Sequence, residues 1–177
     1  MTKAMATFKA GGARLAVLAG LIAVALPHAA LAAAERAAVF PFELDDTSLG
    51  GAMQGEPPAE LARLQRLDAQ LRAALVDSGR YTPVDIAPVA AALAATDLRT
   101  CDTCPADLAR KLDAPVAVNG WVQKVSNLIL NINLVVRDAA TGKMLRAGSV
   151  DIRGDTDESW TRGLAYLLKH RILADAP

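Results

Sequence analysis

The segment spanning residues 116–152 constrains this chain more than any other part of it. Residues 116–125 and 128–138 are strand-length runs joined at Ser126-Asn127. A two-residue connection of this kind closes an antiparallel hairpin, and Asn tolerates the positive φ such a turn asks for. Thr141-Gly142 then turns the chain into a third run, residues 144–152. In the middle run Leu128, Leu130, Ile132 and Leu134 recur at period two, with Asn131, Asn133 and Arg137 between them. Successive strand side chains point to opposite faces, so this meander has one dry face and one partly wet face. A dry sheet face must be covered by another layer, and the rest of the chain has to supply it.

Helical periodicity upstream and downstream supplies that layer. From Glu60 onward, Leu61, Leu64, Leu67, Leu71 and Leu75 recur at spacings of three and four, with Arg63, Arg66, Asp68 and Arg72 between them. This predicts an amphipathic helix ended by Gly79. Pro88 opens an alanine-rich helix to about Ala95, and Pro105 opens a short one with Arg110 and Lys111 in its last turn. A closing helix starts near Asp155, where Asp155 and Glu158 have the spacing of an acidic capping box. It runs to about Leu173 with Trp160, Leu164, Leu167, Leu168 and Ile172 inward. Ahead of these, residues 37–42 read as a buried first strand that breaks into Glu43-Leu44-Asp45-Asp46 and a long mobile Gly-containing loop ending at Pro57-Pro58. Residues 81–86 give a second short strand, placed at an edge by Pro83. The expected fold is α/β (α+β), a mixed sheet of about five strands with a C-terminal antiparallel meander and helices packed on it, in the order β-α-β-α-α-β-β-β-α.

Residues 1–34 have a different character. Lys3, Lys9 and Arg14 lead into an apolar run from Leu15 to Leu26 and then the small residues Ala29 to Ala34. This is the pattern of a cleavable export signal, with Ala30-Leu31-Ala32 or Ala32-Ala33-Ala34 at the cut. The run falls short of the roughly 20 apolar residues that span a bilayer. No Cys follows either cut to carry a lipid anchor. The expectation is a periplasmic chain with no stable membrane anchor and a single domain over residues 35–177.

Removing three basic residues from a chain with 19 Lys and Arg against 19 Asp and Glu leaves a net charge of −3. That balance speaks against nucleic acid, which needs a concentrated positive face. Aromatic residues make up 4% of the chain, too few for stacking platforms. Only His170 remains in the exported part, so Ser-His-Asp chemistry and multi-histidine metal sites lack their histidines. The expectation is a non-enzyme with no cofactor and no catalytic or metal residues.

Three constellations remain as candidates. Cys101 and Cys104, just before a helix, read as a structural disulfide in an oxidising compartment, or as a pair cycling between dithiol and disulfide. Extrapolated to so small a ring, chain entropy gives roughly 2 kcal/mol at most. Zinc would need four ligands and there is no second pair; haem attachment would need a His after Cys104. Glu43, Asp45 and Asp46 sit where a first strand meets its loop, as a candidate contact loop or a seat for a hard cation such as calcium. The glycines Gly50, Gly51 and Gly55 lack the spacing of a calcium loop, and Glu56 stands where a phosphate loop has Lys. Asn119, Asn131 and Asn133, with Gln123, form a candidate ligand face or the hydrated side of the sheet. In Arg153-Gly154-Asp155, capping explains Asp155 better than adhesion does. Trp160 reads as core and His170 as a partner for the closing helix's dipole.

The run from Gly120 to Asn131, continued by Val135-Val136-Arg137-Asp138 and by Asp151 to Trp160, resembles an uncharacterised family of secreted bacterial proteins carrying a domain of unknown function. The likeness extends to Val39-Phe40-Pro41-Phe42-Glu43 and to the Cys101 to Cys104 segment. A broader likeness is to the periplasmic domain shared by the TolB amino-terminal region, curli-secretion lipoproteins and lipoprotein activators of peptidoglycan synthases. It rests on the opening Val-Phe-Pro-Phe strand, Gly79-Arg80-Tyr81, and Arg137-Asp138 with Thr141-Gly142. The chain lacks the lipid-bearing Cys of the lipoproteins and the propeller of TolB. This resemblance implies a docking module that binds another cell-envelope protein. The alternatives from the residues are a small-ligand or cation-binding protein and a thiol-disulfide protein acting through Cys101 and Cys104.

Overall fold

β4, Val116–Ser126, organises the sheet. In the computed structural model, which describes residues 33–54 and 58–174, it pairs with three other strands. The expected export signal lies outside the described residues except for Ala33 and Ala34, as do Gly55, Glu56 and Pro57. On one side β4 takes β1, Glu35–Val39, in parallel, with Ala37 opposite Val116. β1 in turn takes β3, Tyr81–Pro83, also in parallel. Further along that side β4 takes β2, Glu43–Asp46, with Asp46 opposite Lys124. On its other side come β5, Ile129–Asp138, and β6, Met144–Ile152, both antiparallel. The order is β3-β1-β4-β5-β6, with β2 off this path, in a mixed sheet of six strands. This is the expected α+β class with the expected meander, plus one strand.

The dry face carries Val39, Val118, Val122, Ile132 and Leu134. It packs against α2, Pro58–Asp77, through Leu64, Leu67, Leu71 and Leu75, and against α5, Asp157–Leu167, through Trp160, Leu164 and Leu167. Leu61, the first of the predicted leucine row, remains exposed. The second face is covered over its β1 and β4 half, where Ala38, Phe40 and Ala117 meet Val89, Leu98, Leu108 and Leu112. Leu108 comes from α4, Cys104–Lys111, and Val89, Leu98 and Leu112 from the turns around it and around α3, Ala90–Ala94. Gly120 is where β4 passes beneath Phe42: a Cβ there would lie 2.5 Å from the Phe42 ring and 2.8 Å from the Asn133 carbonyl.

Several sequence expectations are corrected. The strand read over residues 37–42 ends at Val39, because Pro41 has no N–H for the ladder. The Phe42 amide donates instead to the Asp68 carboxyl of α2 at 2.7 Å. Glu43, Asp45 and Asp46 then lie in β2 rather than in a loop; the open edge of β4 at Trp121–Lys124 recruits them against their composition. A short helix, α1, Leu49–Gln54, stands in the stretch read as a mobile loop. The β4–β5 turn is Asn127-Leu128, with a bulge between Lys124 and Ser126. Asn127 has no positive φ; among the described non-glycine residues only Asp113 does. α5 is capped by Thr156 and Ser159, each side chain bonding the other's backbone N–H, and not by Asp155 and Glu158. It continues into a π-helical turn, Leu168–Ile172.

A candidate functional site beneath the β4–β5 hairpin

Inward positions of β4 alternate Val118, Gly120, Val122 and Lys124, so the last of them carries an ammonium into the layer between sheet and helices. There the leucine rows of α2 have ended, and its first turn offers Glu60 instead. Lys124 is 5% exposed and Glu60 2%, and they are hydrogen-bonded. Two more carboxylates approach the same ammonium at 3.6 Å: Asp46, its register partner on β2, and Asp155, from the turn before α5. Arg63, one turn along α2, bridges Asp155 and Asp157 at 2.8 Å each and lies 5.9 Å from the centre of the Trp160 ring. The Trp160 indole N–H donates to Asp155 at 3.0 Å. Four separate elements thus meet in one ion cluster.

The electrostatics follow from burial and from these contacts. Burial pushes the Glu60 carboxyl above its ordinary pKa, reinforced by the Asp155 carboxyl beside it and opposed by Lys124. Burial alone would pull Lys124 down, but the Glu60, Asp46 and Asp155 carboxylates outweigh it and hold the ammonium above its usual value. Asp46 is likewise raised by burial but more strongly lowered, by hydrogen bonds from Ser48 and by the Lys124 charge. The Ser48 amide donates to Asp46 at 2.9 Å.

A cavity of about 670 Å³ opens beside the cluster, between α1, the start of α2 and the hairpin. Asp46, Glu60, Lys124 and Asp155 line it, and Leu49 and Val125 stand on its walls. Asp46 Oδ2 and Glu60 Oε2 have no hydrogen-bond partner. The arrangement contains no activated nucleophile. Chemically, it accepts hydrogen bonds and positive charge.

The candidate acidic set does not converge. Asp46 joins the cluster, whereas Glu43 and Asp45 face the other side of β2. Glu43 accepts from the Leu98 and Arg99 amides at 2.9 Å each, and Asp45 lies 3.7 Å from Arg99. Burial raises the Glu43 carboxyl, and those two amides hold the rise back. Among the described residues, no three His, Cys, Asp or Glu side chains are grouped as metal ligands. Asn119, Asn131 and Asn133 do share the second face of the sheet: Asn131 bonds Asp151 across to β6 at 2.7 Å, and Asn119 is buried with its Oδ1 unpartnered. Cys101 and Cys104 form a disulfide, Cα atoms 5.5 Å apart, just after the turn whose Leu98 and Arg99 amides hold Glu43. Lys124, Glu60 and Arg63 were not singled out from sequence. The available signal was Lys124 itself, a charge at an inward position of a strand otherwise dry on that face.

Residues 35–172 match the family model DUF3280, described as "Protein of unknown function (DUF2380)". The chain belongs to this family. No curated protein matches its sequence. Among solved structures, the DUF3280 chain is similar to E. coli LpoB, solved by NMR, at 15% identity and a TM-score of 0.50 over 70% of this chain and 58% of LpoB. The LpoB C-terminal domain from Salmonella enterica gives 17% identity and 0.49 over 68% and 84%. Lipoprotein GNA1162 from Neisseria meningitidis gives 17% and 0.45 over 69% and 82%. At these identities the likeness to LpoB is one of fold.

Proposed function

We propose that this chain is a non-catalytic, periplasmic adaptor domain, exported through a cleaved segment over residues 1–34, whose single domain over residues 35–177 docks on another cell-envelope protein. One observation carries the reading: large apolar side chains stand in solvent together at the hairpin end. Leu49 is 87% exposed and Met53 84%, one helical turn apart on α1; Leu128 is 72% exposed at the hairpin tip, and Val125 is exposed beside it. Leu49 and Val125 border the same cavity, so the two groups share one surface. Exposed apolar side chains gathered at one place mark interaction sites in exported and cytosolic proteins alike. The carboxyls of Asp46, Glu60 and Asp155 are held by Lys124, and that of Glu43 by backbone amides. The fold likeness to LpoB and the sequence resemblance to envelope docking modules support the same reading.

Crosslinking in intact cells of the tagged full chain, followed by mass spectrometry of what co-purifies, tests it. One dominant envelope protein is expected. Recovery of nothing above an unrelated exported control would overturn it.

A further inference from the structure

We propose that the cavity between α1, the first turn of α2 and the β4–β5 hairpin is a socket for a lysine side chain of the docking partner, with Leu49 and Val125 on its walls. The inference rests on the adaptor reading and names the chemistry of its contact.

The charge inventory points to a cation. The walls hold the carboxyls of Asp46, Glu60 and Asp155 against Lys124 and Arg63, and Arg63 is already shared with Asp157. Two of the acceptor oxygens lack a hydrogen bond: Glu60 Oε2, on a residue 2% exposed, and Asp46 Oδ2, on a side chain 6% exposed, which has only the Lys124 ammonium at 3.6 Å. Buried acceptors left without donors are costly, and an incoming N–H donor removes that cost. The absence of any metal-type grouping among the described residues turns the choice from a metal ion to an ammonium. An ammonium is compact and has three donors to distribute, and the cluster already accommodates one on Lys124.

The surroundings argue for a protein-borne ammonium over a free amine. A cavity of about 670 Å³ exceeds what one lysine side chain fills and leaves room for the segment that presents it. Leu49 and Val125 on its walls are apolar and exposed, which suits the methylene stem of lysine and the apolar neighbours of a docked segment. A charged anchor at the centre, sealed by apolar contacts that exclude water, is the usual anatomy of an energetically dominant contact.

The test uses the full chain in its own cells. A photo-crosslinking amino acid is placed at Asn127, on the cavity wall, and separately at Tyr166, exposed on the outer side of α5. The expected result is an adduct from Asn127 alone, on a partner segment containing lysine. Its yield should fall about tenfold when that lysine is changed to glutamine, and comparably with Asp46→Asn or with the exposed-site variant Leu128→Ser, which leaves the ion cluster untouched. An Asn127 adduct indifferent to the partner's lysine would overturn the socket and leave the adaptor reading standing. Adducts from Tyr166 only would do the same for this surface. Adducts from neither position would overturn both. A free amine as the true occupant would show as no Asn127 adduct together with a thermal shift of the purified chain by spermidine, and that too would overturn the proposal.

Discussion

Replacing Lys124 with methionine would leave Asp46, Glu60 and Asp155 facing one another with the central ammonium gone. Removing one partner from a buried ion pair typically costs about 3–5 kcal/mol, because the remaining charge is left uncompensated. Urea unfolding of Lys124→Met should show a loss of that order, and the double variant Lys124→Met/Glu60→Met should recover most of it. A loss no larger than a surface substitution would mean that a proton taken up by Glu60, and not Lys124, neutralises the cluster. Asp68 gives a second residue-scale expectation. Burial raises its carboxyl from 3.8 to about 6, against the Phe42 amide and the Arg72 charge. Between those values the folded chain keeps a proton that the unfolded chain has released. This group's contribution to stability is therefore greatest below 3.8 and declines as pH rises through the window. Asp68→Asn should flatten that decline in a stability profile against pH; an unchanged slope would locate the proton elsewhere.

At the scale of elements, β4 depends on a position without a side chain. A Cβ at Gly120 would press on the Phe42 ring, on the Asn133 carbonyl and on Leu134 within 2.9 Å. Gly120→Ala should cost about 1–3 kcal/mol by denaturant unfolding, the usual range for overpacking. The Cys101–Cys104 ring is so small that Cys101→Ser with Cys104→Ser should lose roughly 2 kcal/mol at most, as measured by thermal unfolding. A larger loss would show that the turn holding Glu43 depends on the bond. The elements that sequence revealed are those with a strong period of their own: the meander, α2 and α5. β2 was hidden because Glu43-Leu44-Asp45-Asp46 has no strand composition and pairs only because β4 extends past β1. Asp155 has capping spacing for α5, yet its carboxylate is taken by Trp160 of α5 and by Arg63 and Lys124 from other parts of the fold. The site was legible only in fragments: Asp46 was named, but its partners are brought to it by β4 and α2, and sequence spacing does not carry that information.

For the molecule as a whole, the segment that follows the proposed export signal has a defined place. Glu35 opens β1, and its amide donates to the Arg80 carbonyl at 2.8 Å. The intact mass of periplasmic protein should correspond to a start at Ala33 or Glu35; a start inside β1 would contradict the proposed cut. That strand also governs the order of assembly. β1 emerges first yet lies between β3 and β4, with Glu35 opposite Tyr81 and Ala37 opposite Val116. Closing such long loops before the contacts repay them is slow, and sheets rich in distant parallel pairings fold late. A fragment ending before β4 therefore lacks Val118 and Val122, on which the leucines of α2 pack. On the proposed export route β1 has only β3 beside it until more than half of the chain beyond it has followed, and that half-paired strand is what a chaperone of this protein would have to shield.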